Sequence, residues 1–261
     1  METHPRPEKL TNGRSSALVC KNCGADCDGN YCWRCGQVTS THRITLKQIL
    51  RDALTALVDL DDQGFLYTAI RLTRQPAQAI RDYLAGRRVA YFPPQKYLFW
   101  VGAVVTFLTG RFRVYTQEYE TVVNRSWMNE FLSSFFQYAD ASGTLVNIVS
   151  IPVFALFSYL FFWRNGYNFA EHLVLNAYLT AQELLFFIAL PGLALLFPEA
   201  RNALLASYAL GTLLYNGWVL YTLFRPATSG LLVRIFGVLL LSYAGQFGVN
   251  LLVFRLIEWW T

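Results

Sequence analysis

Beyond residue 144 the chain reads as four long apolar runs, 145–163, 173–197, 203–224 and 235–254, separated by short polar stretches. Only the second run contains a charged residue, Glu183. A helix needs about 20 apolar residues to cross a bilayer, and a soluble helix of that length keeps a polar face. Each run therefore predicts a membrane-spanning helix. A shorter stretch, 97–110, holds 14 uncharged residues, about 21 Å at helical rise. Lys96 and Arg111 at its ends extend it by snorkelling to the interfaces. It counts as a fifth span, and four remain if it is re-entrant.

The first 96 residues follow a different pattern. Within 44–58, Leu46, Ile49, Leu50, Ala53, Leu54, Leu57 and Val58 share one helical face, with Lys47, Arg51 and Asp52 elsewhere, which predicts an amphipathic helix. After the acidic turn at 59–64, Pro76 suits the first turn of a short helix that Gly86 closes. Arg87, Arg88 and Lys96 then frame Tyr91-Phe92-Pro93-Pro94. This basic, aromatic collar is read as a set of lipid headgroup contacts. Between the first two spans, Trp127, Phe131, Leu132, Phe135 and Phe136 predict a short amphipathic helix on the outer leaflet.

All five cysteines lie between Cys20 and Cys35, in two Cys-x-x-Cys-Gly units with Cys27 between them. A tetrahedral metal needs two thiolates from each of two tight knuckles, so Cys20, Cys23, Cys32 and Cys35 are assigned as ligands. Four soft thiolates with no open position point to a closed structural zinc site. Cys27 is a free thiol or an alternative ligand. A module of 18 residues buries too little apolar surface to fold without its metal. Residues 1–19 are polar and expected to be a disordered tail, with no secretory leader. Thiolates kept available for zinc place the N-terminus in the cytoplasm.

Composition agrees with this division. The 261 residues are 54% hydrophobic, 16% aromatic and 15% charged, the opposite of a disordered chain. Residues 1–96 hold 14 of the 22 Lys and Arg. With five spans, Arg87, Arg88, Lys96, Arg164, Arg225 and Arg234 face the cytoplasm against Arg111, Arg113, Arg125, Arg201 and Arg255 outside. That is barely a bias, and the metal argument carries the orientation. The expected fold is mainly α: a zinc ribbon at 20–37, amphipathic and juxtamembrane helices at 43–96, and a polytopic helical membrane domain at 97–261.

Several pieces taken in order resemble a known family: Cys20-Lys-Asn-Cys23-Gly, Gly29-Asn-Tyr-Cys32-Trp-Arg-Cys35-Gly-Gln37, Arg43-Ile-Thr45, Gly64-Phe-Leu-Tyr-Thr68, Pro76, Tyr83-Leu-Ala-Gly86-Arg-Arg-Val-Ala-Tyr91 and Pro94-Gln-Lys-Tyr-Leu98. The chain resembles the bacterial zinc-ribbon membrane proteins grouped as domain of unknown function 3667. The likeness covers residues 20 to about 100. It implies a multi-pass protein of the bacterial inner membrane with a cytosolic ribbon, and it implies no activity, substrate or catalytic residue.

Glu183 is the leading intramembrane candidate, because a carboxylate near a helix centre costs about 2.5–3.5 kcal/mol on insertion scales. Asn176, Gln182, Asn216, Gln246 and Asn250 are its candidate companions. Interhelical hydrogen bonding alone also accounts for these amides. Glu171 and His172 begin the same helix. Nucleotide-binding, serine-nucleophile and metalloprotease motifs are absent from the sequence, so the reading leans away from an enzyme. The leading expectation is a non-enzymatic docking or scaffolding protein whose partners are the lipid bilayer and a cytosolic protein or a second copy. The alternative is a small transporter or lipid-handling protein working through Glu183. Nucleic-acid binding is disfavoured, because the basic residues of 1–96 are spread out rather than striped.

Overall fold

The computed structural model describes residues 18–55, 64–112, 148–225 and 230–260. The outer-leaflet helix expected around Trp127 and Phe136, and most of the N-terminal tail, lie outside these residues. Leu18 and Val19, assigned to the tail from sequence, instead form strand β1. It pairs antiparallel with β2 (Asp26–Cys27) in the register Leu18 to Cys27 and Val19 to Asp26. These two short strands are the ribbon's sheet.

Helix α1 (Leu46–Thr55) starts where the Thr45 hydroxyl accepts from the Gln48 amide at 3.4 Å, an N-terminal cap. Helices α2 (Phe65–Arg74) and α3 (Pro76–Leu84) form a hairpin around Gln75. Pro76 opens α3 as expected. Gly86 sits at φ 109°, a left-handed conformation that ends the helix cheaply only with glycine. Helix α4 (Pro94–Phe112) follows.

The remaining helices are α5 (148–162), α6 (Phe169–Phe187), α7 (Ala189–Leu196), α8 (Arg201–Phe224) and α9 (Leu231–Trp260). Asn168 and Glu171 form a reciprocal capping box at the start of α6. The break between α6 and α7 falls at Ile188. It has a local cause: Pro191 offers no amide to the Phe187 carbonyl, and its ring crowds that oxygen.

Four helical segments among the described residues are long and apolar enough to cross a bilayer: Ile148–Asn165, Phe169–Leu196, Pro198–Phe224 and Leu231–Leu256. They correspond to the four long runs, each displaced by a few residues. The fifth expected span forms a helix that begins earlier, at Pro94, but it is not among the four. The stretch that leads α4 into the bundle contains Pro94, Gln95 and Lys96, which dilutes its apolar character. Tyr97 near its start packs on Tyr178 of α6, and α4 also meets α7.

The ribbon, the C-terminal end of α3, the start of α6 and the end of α8 gather at one end of the bundle. Arg81 donates to the carbonyls of Thr222 and Leu223 at 3.0 and 3.2 Å, and Arg234 to that of Phe161 at 3.0 Å. Each cation satisfies helix-terminal carbonyls at the negative end of the dipole. The core beneath is aromatic. Phe162 stacks on Phe224 with centroids 3.9 Å apart, and Tyr83 meets Tyr178 edge-on at 5.4 Å.

Candidate metal centre and intramembrane polar site

The two Cys-x-x-Cys units fold into matching turns. In the first, the Gly24 amide donates to the Cys20 carbonyl and the Cys20 amide to that of Ala25, both at 2.9 Å. In the second, Gly36 donates to Cys32 and Cys32 to Gln37, both at 2.8 Å. Gly24 and Gly36 share φ 74°, the positive value that a knuckle demands. The turns place the Sγ atoms of Cys20, Cys23, Cys32 and Cys35 within 4.8 Å of one another. Cys20 and Cys35 are 3.6 Å apart, and Cys23 and Cys32 are 3.5 Å apart. Metal–thiolate bonds near 2.3 Å in a tetrahedron give an edge of about 3.8 Å, so the four sulfurs fit one metal ion.

Their chemistry agrees with that fit. At Cys32 burial opposes ionisation, but the amides of Cys35 and Arg34 and the thiols of Cys23 and Cys27 outweigh it and bring the thiol down to about 6. At Cys23 the Ala25 amide favours the thiolate, yet burial and the thiols of Cys32, Cys35 and Cys20 push it up to about 12. One thiolate forms readily and repels the next. A cation removes that conflict. Cys27 lies outside the four-sulfur set although its thiol acts on Cys32: it is buried, points its thiol at the Ala25 carbonyl at 3.4 Å, and is pushed up to about 11, first by burial. All five cysteines are free thiols, so a disulfide framework is not formed.

The ribbon is fastened to the helices by side chains to which sequence reading gave no role. Gln37 is buried; its amide nitrogen donates to the Gly86 carbonyl at 2.8 Å, and its oxygen accepts from the amides of Arg88 and Val89 at 3.0 and 3.2 Å. Asn22 accepts from the Ala90 amide at 3.2 Å. Arg43 grips Glu171 through two bonds, 2.8 and 2.6 Å long, and also donates to the Gly166 carbonyl. Gln37 and Arg43 both lie in the pieces that carry the family resemblance, which was the available signal.

The candidate headgroup residues are partly engaged inside the protein. Arg87 pairs with Asp82 at 3.1 Å, and Arg88 donates to the His42 carbonyl at 2.6 Å. Lys96 is half-buried in the first turn of α4. Asp82 also accepts from Tyr91 at 2.9 Å and Gln78 at 2.8 Å, so this cluster ties α3 to the loop that follows it.

In the membrane domain the expected polar set divides. Asn176, Glu183, Asn216 and Gln246 line one cavity of about 50 Å³. Asn216 donates to Glu183 at 2.5 Å and to the Tyr243 hydroxyl at 3.0 Å. Gln182 faces away, accepting from Tyr97 at 2.7 Å and donating to Thr73 at 2.9 Å. Asn250 donates to the Gln246 carbonyl of its own helix at 2.9 Å. His172 joins Ser158 at 2.9 Å, and Asn176 donates to the same hydroxyl at 3.0 Å.

No curated protein and no solved structure matches the chain. The ribbon lies outside the stretch matched by a family model. Residues 62–107, which take in α2, α3 and most of α4, match the family model described as Protein of unknown function (DUF3667).

Proposed function

We infer that this is a non-enzymatic protein of the bacterial inner membrane whose cytosolic zinc ribbon is a docking platform for a cytosolic protein or a second copy of the chain. The observation that carries the reading is the two-sidedness of the ribbon. One side is locked to the helices through Gln37 and Asn22. The other leaves Trp33 79% and Tyr31 68% exposed, beside the exposed strand residues Leu18 and Val19. Aromatic side chains held on a rigid base are the usual anchors of protein interfaces.

Zinc is the metal favoured by a closed set of four thiolates, and such thiolates persist in a reducing compartment. The orientation rests on those thiolates, because six basic residues on the ribbon side against five on the other are barely a bias. Asp26 and Asp28 share the ribbon with Lys21 and Arg34, which weakens its attraction for phosphate.

A co-purification from membranes tests the platform. Partners captured by the wild-type chain are lost from Trp33→Ala with Tyr31→Ala, and from Cys32→Ser with Cys35→Ser. Retention of every partner by both variants refutes the reading. The alternative, a small transporter or lipid-handling protein working through Glu183, draws on the buried carboxylate. A cavity of about 50 Å³ holds water-sized species and no acyl chain, which favours its transport arm over its lipid arm.

A further inference from the structure

We propose that the cavity beside Glu183 is a binding site for one monovalent metal cation of about sodium's size. Glu183 lies midway along the span Phe169–Leu196, where an uncompensated charge is costly. The ion pairs Arg43–Glu171, Arg71–Asp82 and Arg87–Asp82 lie at the ribbon end, and none of the side chains that line the cavity is basic. An ionised Glu183 therefore needs a cation that the cavity walls do not supply, whereas a protonated one needs none, and the test below separates the two.

The walls have the chemistry to receive it. Asn176, Thr180, Glu183, Tyr208, Asn216 and Gln246, all with oxygen-bearing side chains, line a space of about 50 Å³, room for a small ion with a water molecule. Asn216 is only 4% exposed. Its nitrogen is committed to Glu183 and Tyr243, while its oxygen is buried without a hydrogen-bond partner. A stranded acceptor beside a carboxylate is what a hard cation satisfies, because such ions take oxygen ligands. One carboxylate balances one positive charge. A divalent ion would leave a net charge in a low-dielectric interior. This site is independent of the ribbon and of any partner docked there.

The test uses the full chain purified in detergent in sodium-free choline buffer. The unfolding temperature is followed as sodium chloride is added, with equal choline chloride as the control. Infrared difference spectra record the Glu183 carboxyl band, identified by its loss in Glu183→Gln. Sodium raises the unfolding temperature over choline, the carboxyl band is that of a carboxylate, and both responses vanish in Glu183→Gln. Asn216→Ala, a second variant that keeps the carboxylate, shifts half-saturation to higher sodium. Indifference of the wild type to sodium overturns the proposal. So does a sodium response that survives Glu183→Gln, or a Glu183 band that stays that of a protonated acid in sodium.

Discussion

The Gln37 side chain and the Gly86 backbone, 49 positions apart in sequence, meet through a 2.8 Å hydrogen bond that joins the metal ribbon to the end of α3. The opposite atom of the same amide receives two further backbone amides, Arg88 and Val89. The contact is close: a Cβ at Gly86 would lie 2.8 Å from Cδ of Lys21 and 2.9 Å from Oγ1 of Thr41. Gln37→Leu keeps the volume and strands the buried Gly86 carbonyl, worth about 1–3 kcal/mol, and removes the acceptor of the Arg88 and Val89 amides. Hydrogen exchange at Arg88 and Val89 then accelerates by at least tenfold while the metal content stays unchanged. Unaltered exchange would show that the ribbon holds its place by other means.

Metal removal tests the ribbon from the other side. Elemental analysis of the purified chain is expected to find about one zinc per molecule. Ligand thiols must lose protons to bind, so affinity falls as pH falls and acid releases the ion. A strong chelator at neutral pH unfolds residues 18–39, seen as a change in Trp33 fluorescence, while the helical circular dichroism persists. Cys32→Ser abolishes metal retention and Cys27→Ser leaves it intact, because only the first sulfur belongs to the four-sulfur cluster. Loss of metal from Cys27→Ser would move that residue into the ligand set.

Arg43 and Glu171 couple the linker to α6. Glu171 is buried and serves twice, accepting from the Asn168 amide at 2.8 Å in the capping box and from Arg43 at 2.6 Å. Arg43 is half exposed, so solvent screens the pair. A double-mutant cycle of Arg43→Ala and Glu171→Gln, read by thermal unfolding in detergent, gives a coupling of about 1 kcal/mol. Glu171→Gln leaves an oxygen to accept from the Asn168 amide, since glutamine also serves at this capping-box position, so its cost lies in the lost charge facing Arg43. Additive losses would mean that the ion pair contributes nothing.

The features legible in the sequence were those with a local signature. Apolar runs long enough for a bilayer need no partner to be recognised, and the four spans fall within a few residues of them. The two knuckles and the Pro76 to Gly86 helix are written in spacing and in residues of restricted or unusual backbone freedom. The polar set around Glu183 was grouped by depth, which ignores direction. Adjacent residues on a helix diverge by about 100°, so Gln182 and Glu183 had to face different neighbours, whereas Asn176, two turns before Glu183, shares its face. Gln37, Asn22 and Arg43 act on partners far away in the chain, and no local period encodes such contacts.

Helix α9 separates two glycines that look alike in sequence. A Cβ on Gly245 would lie 2.7 Å from Cγ1 of Val153 and 3.3 Å from Cε2 of Phe157 on α5, whereas one on Gly248 meets nothing within 4 Å. Val153 cannot withdraw easily, because a β-branched side chain in a helix holds a single preferred rotamer. Close approach through a small residue is how membrane helices gain packing without a hydrophobic drive between them. Both replacements by alanine make the same change in helix propensity, so their difference isolates the contact. Gly245→Ala lowers stability by about 1–3 kcal/mol through overpacking, seen as a lower unfolding temperature in detergent, while Gly248→Ala leaves it unchanged or slightly raised. Equal effects at the two positions would mean that α5 and α9 do not meet through Gly245.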